Sequence, residues 1–317
     1  MSAVQEGRLP PEAAPTGTDG TATADSRRET ETAPMWHGTD GIGGPGHGRR
    51  AETEAGPSVR HATSGRVAYL ADPVKLENGE PGYPPPALLE RLRETGLPVE
   101  QIGVAQLNTL VERFTVLCVA GGFVLNYQSR MGATGAALVT EFVRRGGGYV
   151  GVCAGAYLGS SMALGLLPVD VLDATHWDRG AGPCQLGFTA QGRETLGAGV
   201  NAVTARYANG PIMRTAAASG DAADDGGGGG AAVTLARFVG EPFRPPVGSA
   251  HFMHGSPAIV GGTCGRGGGM VVLVSPHLED GADEATRTPL RNAVVLCSAY
   301  CLHGRAACGA SAPSATT

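Results

Sequence analysis

The chain has 317 residues, enough for one large or two modest domains. A hydrophobic content of 42% supplies a core, while a formal net charge of −5 provides no basic field for nucleic acid. No apolar run approaches transmembrane length, so neither nucleic acid nor membrane is expected as a partner.

Glycine is abundant at 51 residues and aromatics are sparse at 5%, which predicts low-complexity segments around a smaller folded unit. The cysteines number seven, an odd count with no Cys-x-x-Cys pair, so neither a disulfide framework nor a zinc site is expected. Reduced thiols, and an N-terminus without a basic segment followed by an apolar one, predict a cytoplasmic protein. No cofactor and no metal are expected. His251 and His254 have a spacing that suits a metal pair on a helix, but their surroundings predict no helix and offer no third ligand.

Residues 1–64 are small and polar and cannot bury enough surface to offset the entropy of ordering, so they are predicted to be a disordered tail. His37, His47 and His61 fall there and read as solvated. The folded domain is placed at 65–303. It opens with a strand over 66–71, then a Pro- and Gly-rich loop over 72–86 that carries Tyr83. An amphipathic helix over 87–95 stops at Gly96 and Pro98. A strand over 99–104, a short helix over 105–113 and an apolar strand over 115–120 follow. Gly121-Gly122 begins a loop that runs to Gly132, with Thr134 as the N-cap of a helix to Arg145. Tyr149 to Val152 is the next strand. Alternating helices and continuously apolar strands predict a parallel sheet covered on both faces, with ligands outside the carboxyl ends of the strands.

Beyond this point strands and loops dominate. Leu166–Thr189 and Asn201–Arg206 read as strands and loops, with His176-Trp177-Asp178 as a surface loop. Residues 216–232, with a run of five glycines, read as a flexible insertion. A strand over 233–238 follows. Strands over 258–264 and 270–275 flank a Gly-rich turn and predict a hairpin. A final helix is placed at 288–302, and residues 304–317 are predicted to be a second disordered tail.

Within this order, Gly151-Val-Cys153-Ala-Gly155 joins a strand to a helix. Such a turn holds its central side chain at the strand tip in a strained backbone with small neighbours. It also sets Cys153 near a helix N-terminus, where the dipole favours a thiolate. Taken alone, the motif fits a buried core cysteine equally well. His277 directly follows an apolar strand, and Glu279 stands two residues on, able to point the same way in an extended segment. A nucleophilic thiol needs a base, and the base an orienting acid, so Cys153, His277 and Glu279 form a candidate triad. Tyr207-Ala-Asn209-Gly-Pro211 reads either as a turn or as a pocket wall with Asn209 hydrogen-bonding a ligand.

Four segments carry a resemblance: Leu117–Gly122, Gly146–Tyr157, Tyr207–Pro211 and Gly269–Glu279. In this order the sequence resembles the N-terminal domain of biotin–protein ligase, within the class I glutamine amidotransferase-like superfamily. The resemblance implies a flavodoxin-like three-layer sandwich with a mostly parallel central sheet. It implies Cys153 as nucleophile, His277 as base and Glu279 as orienter, with the amides of Gly122 and Ala154 as an oxyanion site. Gly121, Tyr157 and Asn209 would line the pocket. The chain departs from the superfamily in two places. His277-Leu278-Glu279 stands where His-Pro-Glu is usual, keeping both functional side chains. Tyr157 stands where glutaminases of this kind carry Gln, which argues against glutamine as substrate. Gly265-Arg-Gly-Gly-Gly fits a hairpin turn better than a biotinoyl-adenylate loop, so biotin ligation is not expected.

These readings point to a cysteine-dependent amidase or hydrolase acting on a small-molecule amide or ester. The alternative is a ligand-binding or regulatory module that keeps the pocket without turnover. A thiol redox sensor or glyoxal-type hydratase is a third class.

Overall fold

In the computed structural model, residues 64–70, 86–172, 174–176, 178–215, 231–241 and 253–309 are described. The tails over 1–63 and 310–317, the loop with Tyr83, Trp177, the insertion over 216–230 and His251 lie outside these residues.

A sheet of nine strands forms the centre. β1 (Val67–Leu70), β2 (Val99–Ile102), β3 (Val116–Val119), β4 (Gly148–Val152) and β11 (Met270–Val274) are parallel, in the order β2-β1-β3-β4-β11. Side chains alternate across a strand, and in β1, β3, β4 and β11 both faces are buried. Val67, Tyr69, Val116, Cys118, Val150, Val152, Val272 and Val274 enter one core cluster. Ala68, Leu70, Leu117, Val119, Tyr149, Val271 and Leu273 enter the other. This explains why β1, β3, β4 and β11 are apolar throughout, whereas the edge strand β2 carries Glu100 and Gln101.

Helices complete the three layers. α1 (Pro86–Arg93) joins the first cluster through Leu88 and Leu92. α6 (Glu284–Gly309) joins it through Leu290, Val294 and Cys297. On the opposite face lie α2 (Leu110–Arg113), α3 (Val124–Arg144) and α4 (Ala154–Gly159), with Leu110, Val139, Phe142 and Leu158 in the second cluster. A flavodoxin-like sandwich follows.

The remaining sheet strands are antiparallel: β10 (Pro257–Thr263), β9 (Val233–Phe238), β6 (Ala181–Phe188) and β7 (Ala202–Ala208), added in that order beside β11. β10 and β11 form the predicted hairpin. The last strand, β7, also bridges His277 through Arg206, with the His277 N–H donating to the Arg206 carbonyl at 2.7 Å. His277 follows β11, so this half of the sheet curls until its edge reaches the tip of the parallel half. A separate pair, β5 (Val169–Leu172) and β8 (Ile212–Thr215), is antiparallel.

Several boundaries differ from expectation. The loop predicted from Gly121 to Gly132 is helical from Val124, and α3 is broken only at Gly132, whose φ of 58° is non-helical. Tyr127 and Met131 are buried one turn apart, and that packing holds the first segment in helix. Thr134 is therefore internal and not a cap. Residues 105–113 divide into a 3₁₀ turn over Val104–Thr109 and the short α2. α5 (Ala190–Leu196) is a helix that the sequence pattern does not announce; the Thr189 hydroxyl caps it by accepting from the Gly192 N–H at 2.9 Å. α6 starts at Glu284, ahead of Thr288, because the Asp283 carboxylate accepts from the Thr286 N–H at 2.8 Å and caps an earlier turn. It continues through Ala306 and Ala307 to Gly309, past the domain end drawn at 303, consistent with alanine's helix propensity. No helix among the described residues is long and apolar enough to cross a membrane.

Candidate functional site

β4 and α4 meet at Cys153, whose φ of 51° and ψ of −103° are unusual for a non-glycine residue. The strain is held from several sides. The Cys153 N–H donates to the Val274 carbonyl of β11 at 2.8 Å. A Cβ on Gly151 would press into the Gly155 carbonyl, and one on Gly155 into the Val119 carbonyl. The two glycines of the motif are thus a steric requirement of the sharp turn. α4 has six residues, so any dipole contribution at Cys153 comes from little more than one turn.

His277 stands across from the thiol. Its ring and the Cys153 side chain border the same pocket, and its Nδ1 lies 2.8 Å from Oε1 of Glu279. With Nδ1 committed to the carboxylate, Nε2 is the nitrogen left for sulfur. Both His277 and Glu279 are almost wholly buried. Burial alone would push the imidazole's pKa down. The interaction with the Cys153 side chain, then the hydrogen bond and charge of Glu279, outweigh it and raise the pKa to about 10. Glu279 reaches the ring from a 3₁₀ turn over Leu278–Asp280, not from the extended segment expected. The turn shortens the step between residues 277 and 279 and folds the carboxylate back.

Gly121 lines the other side of the ring: a Cβ there would lie 2.7 Å from Cε1 of His277 and 3.4 Å from Cβ of Cys153. Gly122 borders the same pocket. Ala154 opens α4, so its N–H has no carbonyl four residues back within that helix. The Cys153 thiol also donates to the Ala208 carbonyl at 3.5 Å.

The cavity holds about 320 Å³ and reaches Cys153 and His277. Tyr157 and Asn209 line it, but much of their polarity is used within the protein. The Tyr157 hydroxyl accepts from Nη1 of Arg179 at 2.9 Å and donates to the Asn209 carbonyl at 3.1 Å. Burial raises the Tyr157 pKa against the opposing pull of Arg179, so it remains a phenol. Oδ1 of Asn209 accepts from the Gly180 N–H at 2.7 Å, and Asn209 adopts a φ of 53°. Asn209 thus lies in a turn and borders the pocket as well.

Sequence reasoning missed two features. Phe123, Val124, Leu125 and Asn126 line the pocket from the start of α3, joined by Met162 and Ala174. A Phe-Val-Leu run after two glycines was the available signal. Arg179 is fully buried, held also by the Leu172 carbonyl at 2.9 Å, and nothing local in the sequence marks it.

Residues 99–164 match the family model described as biotin-protein ligase, N terminal. The matched span carries the elbow and Cys153 and ends before His277. No curated protein matches the chain. Among solved structures it is similar to PurLQS from Thermotoga maritima, with 13% identity, 73% of this chain and 98% of that chain covered, and a TM-score of 0.48. It is also similar to a glutamine amidotransferase from Thermotoga maritima, with 12% identity, 77% and 98% coverage, and a TM-score of 0.44. A third is the glutaminase domain of CTPS from Trypanosoma brucei with bound acivicin, with 13% identity, 74% and 94% coverage, and a TM-score of 0.43.

Proposed function

We propose that the chain is a cysteine-dependent amidase or hydrolase in which Cys153 is the nucleophile, His277 the proton carrier and Glu279 its orienter. One observation carries this reading: a buried imidazole clamped at Nδ1 by a carboxylate at 2.8 Å presents its other edge to a cysteine in a strained strand–helix elbow. The Cys153 thiolate attacks a substrate carbonyl, forming the C–S bond and moving the π electrons to oxygen. The oxyanion is received by the amides of Gly122 and Ala154. Collapse of this adduct breaks the C–N or C–O bond, and the leaving amine or alcohol takes the proton from His277. Water then attacks the thioester, gives a proton to His277 and releases the acid, and sulfur leaves as the thiolate that began the cycle. None of the six described cysteines is in a disulfide, which suits a reducing compartment, and we assign the protein to the cytoplasm.

Intact-protein mass spectrometry with a small uncharged activated ester tests the reading. One acetyl group should be trapped on the unmodified chain, and none on Cys153→Ala. His277→Ala should acylate at least about a hundredfold more slowly, within the usual range for a proton-transfer catalyst. Equal acylation of all three proteins refutes the triad. Binding without acylation would instead identify a non-catalytic ligand-binding module.

A further inference from the structure

The pocket's wall also bears on what it accepts. Among the described residues lining it, none is Asp, Glu, Lys or Arg, and His277 is the sole side chain able to carry a cation. The Tyr157 hydroxyl is already engaged by Arg179 and the Asn209 carbonyl, and Oδ1 of Asn209 by the Gly180 N–H. A free amino acid would bring an ammonium and a carboxylate, and desolvating such charges without partners is costly. Apart from the neutral amide of Asn126, the remaining side chains of the wall beyond Cys153 are hydrocarbon or, at Met162, a thioether: Phe123, Val124, Leu125, Met162, Ala174 and Ala208. Phe123 and Leu125 are 50% and 61% exposed, unusual for large apolar residues, and they stand together at the entrance beside the cavity. Exposed apolar groups next to a cleft mark surface that a ligand covers.

Building on the Cys153 reading above, we propose that the substrate is an ester or amide whose acyl group is apolar and uncharged, an aliphatic or aryl-aliphatic chain, and not glutamine. Phe123 and Leu125 receive the distal part of that chain while the carbonyl sits at Cys153. The bonding changes are those of thioester formation and hydrolysis: the acyl carbon exchanges its C–N or C–O bond for C–S and then for the C–O bond of the free acid. The leaving group departs protonated by His277, and water supplies the final oxygen. No oxidant or further reactant is needed.

The experiment compares p-nitrophenyl acetate, butyrate, 3-phenylpropionate and hemisuccinate, together with glutamine assayed for ammonia release, on the full chain and on Cys153→Ala. Cys153-dependent kcat/KM should rise from acetate to phenylpropionate by about tenfold or more, as expected when methylenes enter an apolar site. Hemisuccinate and glutamine should fall below butyrate. In Leu125→Asp, a substitution at an exposed site, the phenylpropionate-to-acetate ratio should drop by about tenfold. Equal rates for acetate and phenylpropionate, or hemisuccinate or glutamine matching phenylpropionate, overturn the substrate class while leaving Cys153 as nucleophile. An unchanged ratio in Leu125→Asp overturns the assignment of the lip. If no ester shows Cys153-dependent release, the nucleophile reading fails and the substrate class falls with it.

Discussion

Replacing Glu279 with Gln keeps the side chain's shape and removes its charge. The carboxylate holds Nδ1 of His277 at 2.8 Å and, with Cys153, keeps the buried imidazole protonated up to about pH 10. A hydrogen bond to a charged partner contributes about 1.5–3 kcal/mol, which at 1.36 kcal/mol per unit corresponds to about one to two pKa units. His277 in Glu279→Gln should therefore titrate at about 8–9. The midpoint is read from the ring C–H resonances, with His277→Gln used to assign the signal. The sign of the stability effect follows from the raised pKa. The stabilisation is complete below the unfolded histidine's pKa of about 6.5 and is lost as pH rises through the folded value of about 10. Urea unfolding should thus show the variant less stable than the parent by about 1.5–3 kcal/mol at pH 6, with the gap narrowing toward pH 10.5. A midpoint identical in the two proteins, or a gap that does not change with pH, would refute the imidazolium–carboxylate pairing.

Three further substitutions probe the geometry. Gly121→Ala places a Cβ 2.7 Å from Cε1 of His277, so the ring must move; Cys153 acylation should slow by about a hundredfold with the secondary structure retained by circular dichroism. Parent-like acylation would mean that the ring has room to spare. Gly155→Ala drives a Cβ into the Val119 carbonyl and should cost about 1–3 kcal/mol in urea unfolding; an unchanged midpoint contradicts the close approach of α4 to β3. Tyr157→Phe deletes the hydroxyl between Arg179 and the Asn209 carbonyl and should destabilise by about 1–3 kcal/mol, because a buried guanidinium and a carbonyl each lose a partner. Equal stability by calorimetry would show that this link contributes nothing.

The parallel half of the sheet is legible because β1, β3, β4 and β11 are buried on both faces and so consist of unbroken apolar runs. The hairpin of β10 and β11 is legible for a different reason: a glycine-rich turn separates two such runs. α5 is not, since seven residues with two buried positions leave too little periodicity. The first turns of α3 are hidden by Gly132, which reads as the end of a loop although helix stands on both sides of its non-helical kink. At the site, the elbow can be read from the spacing of Gly151, Cys153 and Gly155, because sterics fix those residue types locally. Arg179 cannot. A lone arginine in a loop reads as solvated, and its burial arises from partners distant in sequence, Leu172 and Tyr157. The apolar lip is likewise a product of how α3 begins, not of any residue pattern around Cys153.

The antiparallel half of the sheet has a larger part in the site than its distance from the elbow in strand order suggests. Four strand pairings separate β7 from β11, yet β7 returns to the residue that follows β11. At that point the Arg206 carbonyl fixes the backbone of His277, and the Ala208 carbonyl faces the Cys153 thiol. Asn209, one residue on, receives the Tyr157 hydroxyl from α4. A single short segment thus contacts the imidazole-bearing residue, the thiol and the pocket wall. The parallel strands alone would bring Cys153 and His277 together just past the ends of β4 and β11, but would leave the pocket open on the side that β7 closes. Parallel strands therefore fix the reacting pair, and the curl of the antiparallel extension gives that pair an enclosed cavity. Changes in the register of β6 against β7 should accordingly disturb the pocket before they disturb the elbow.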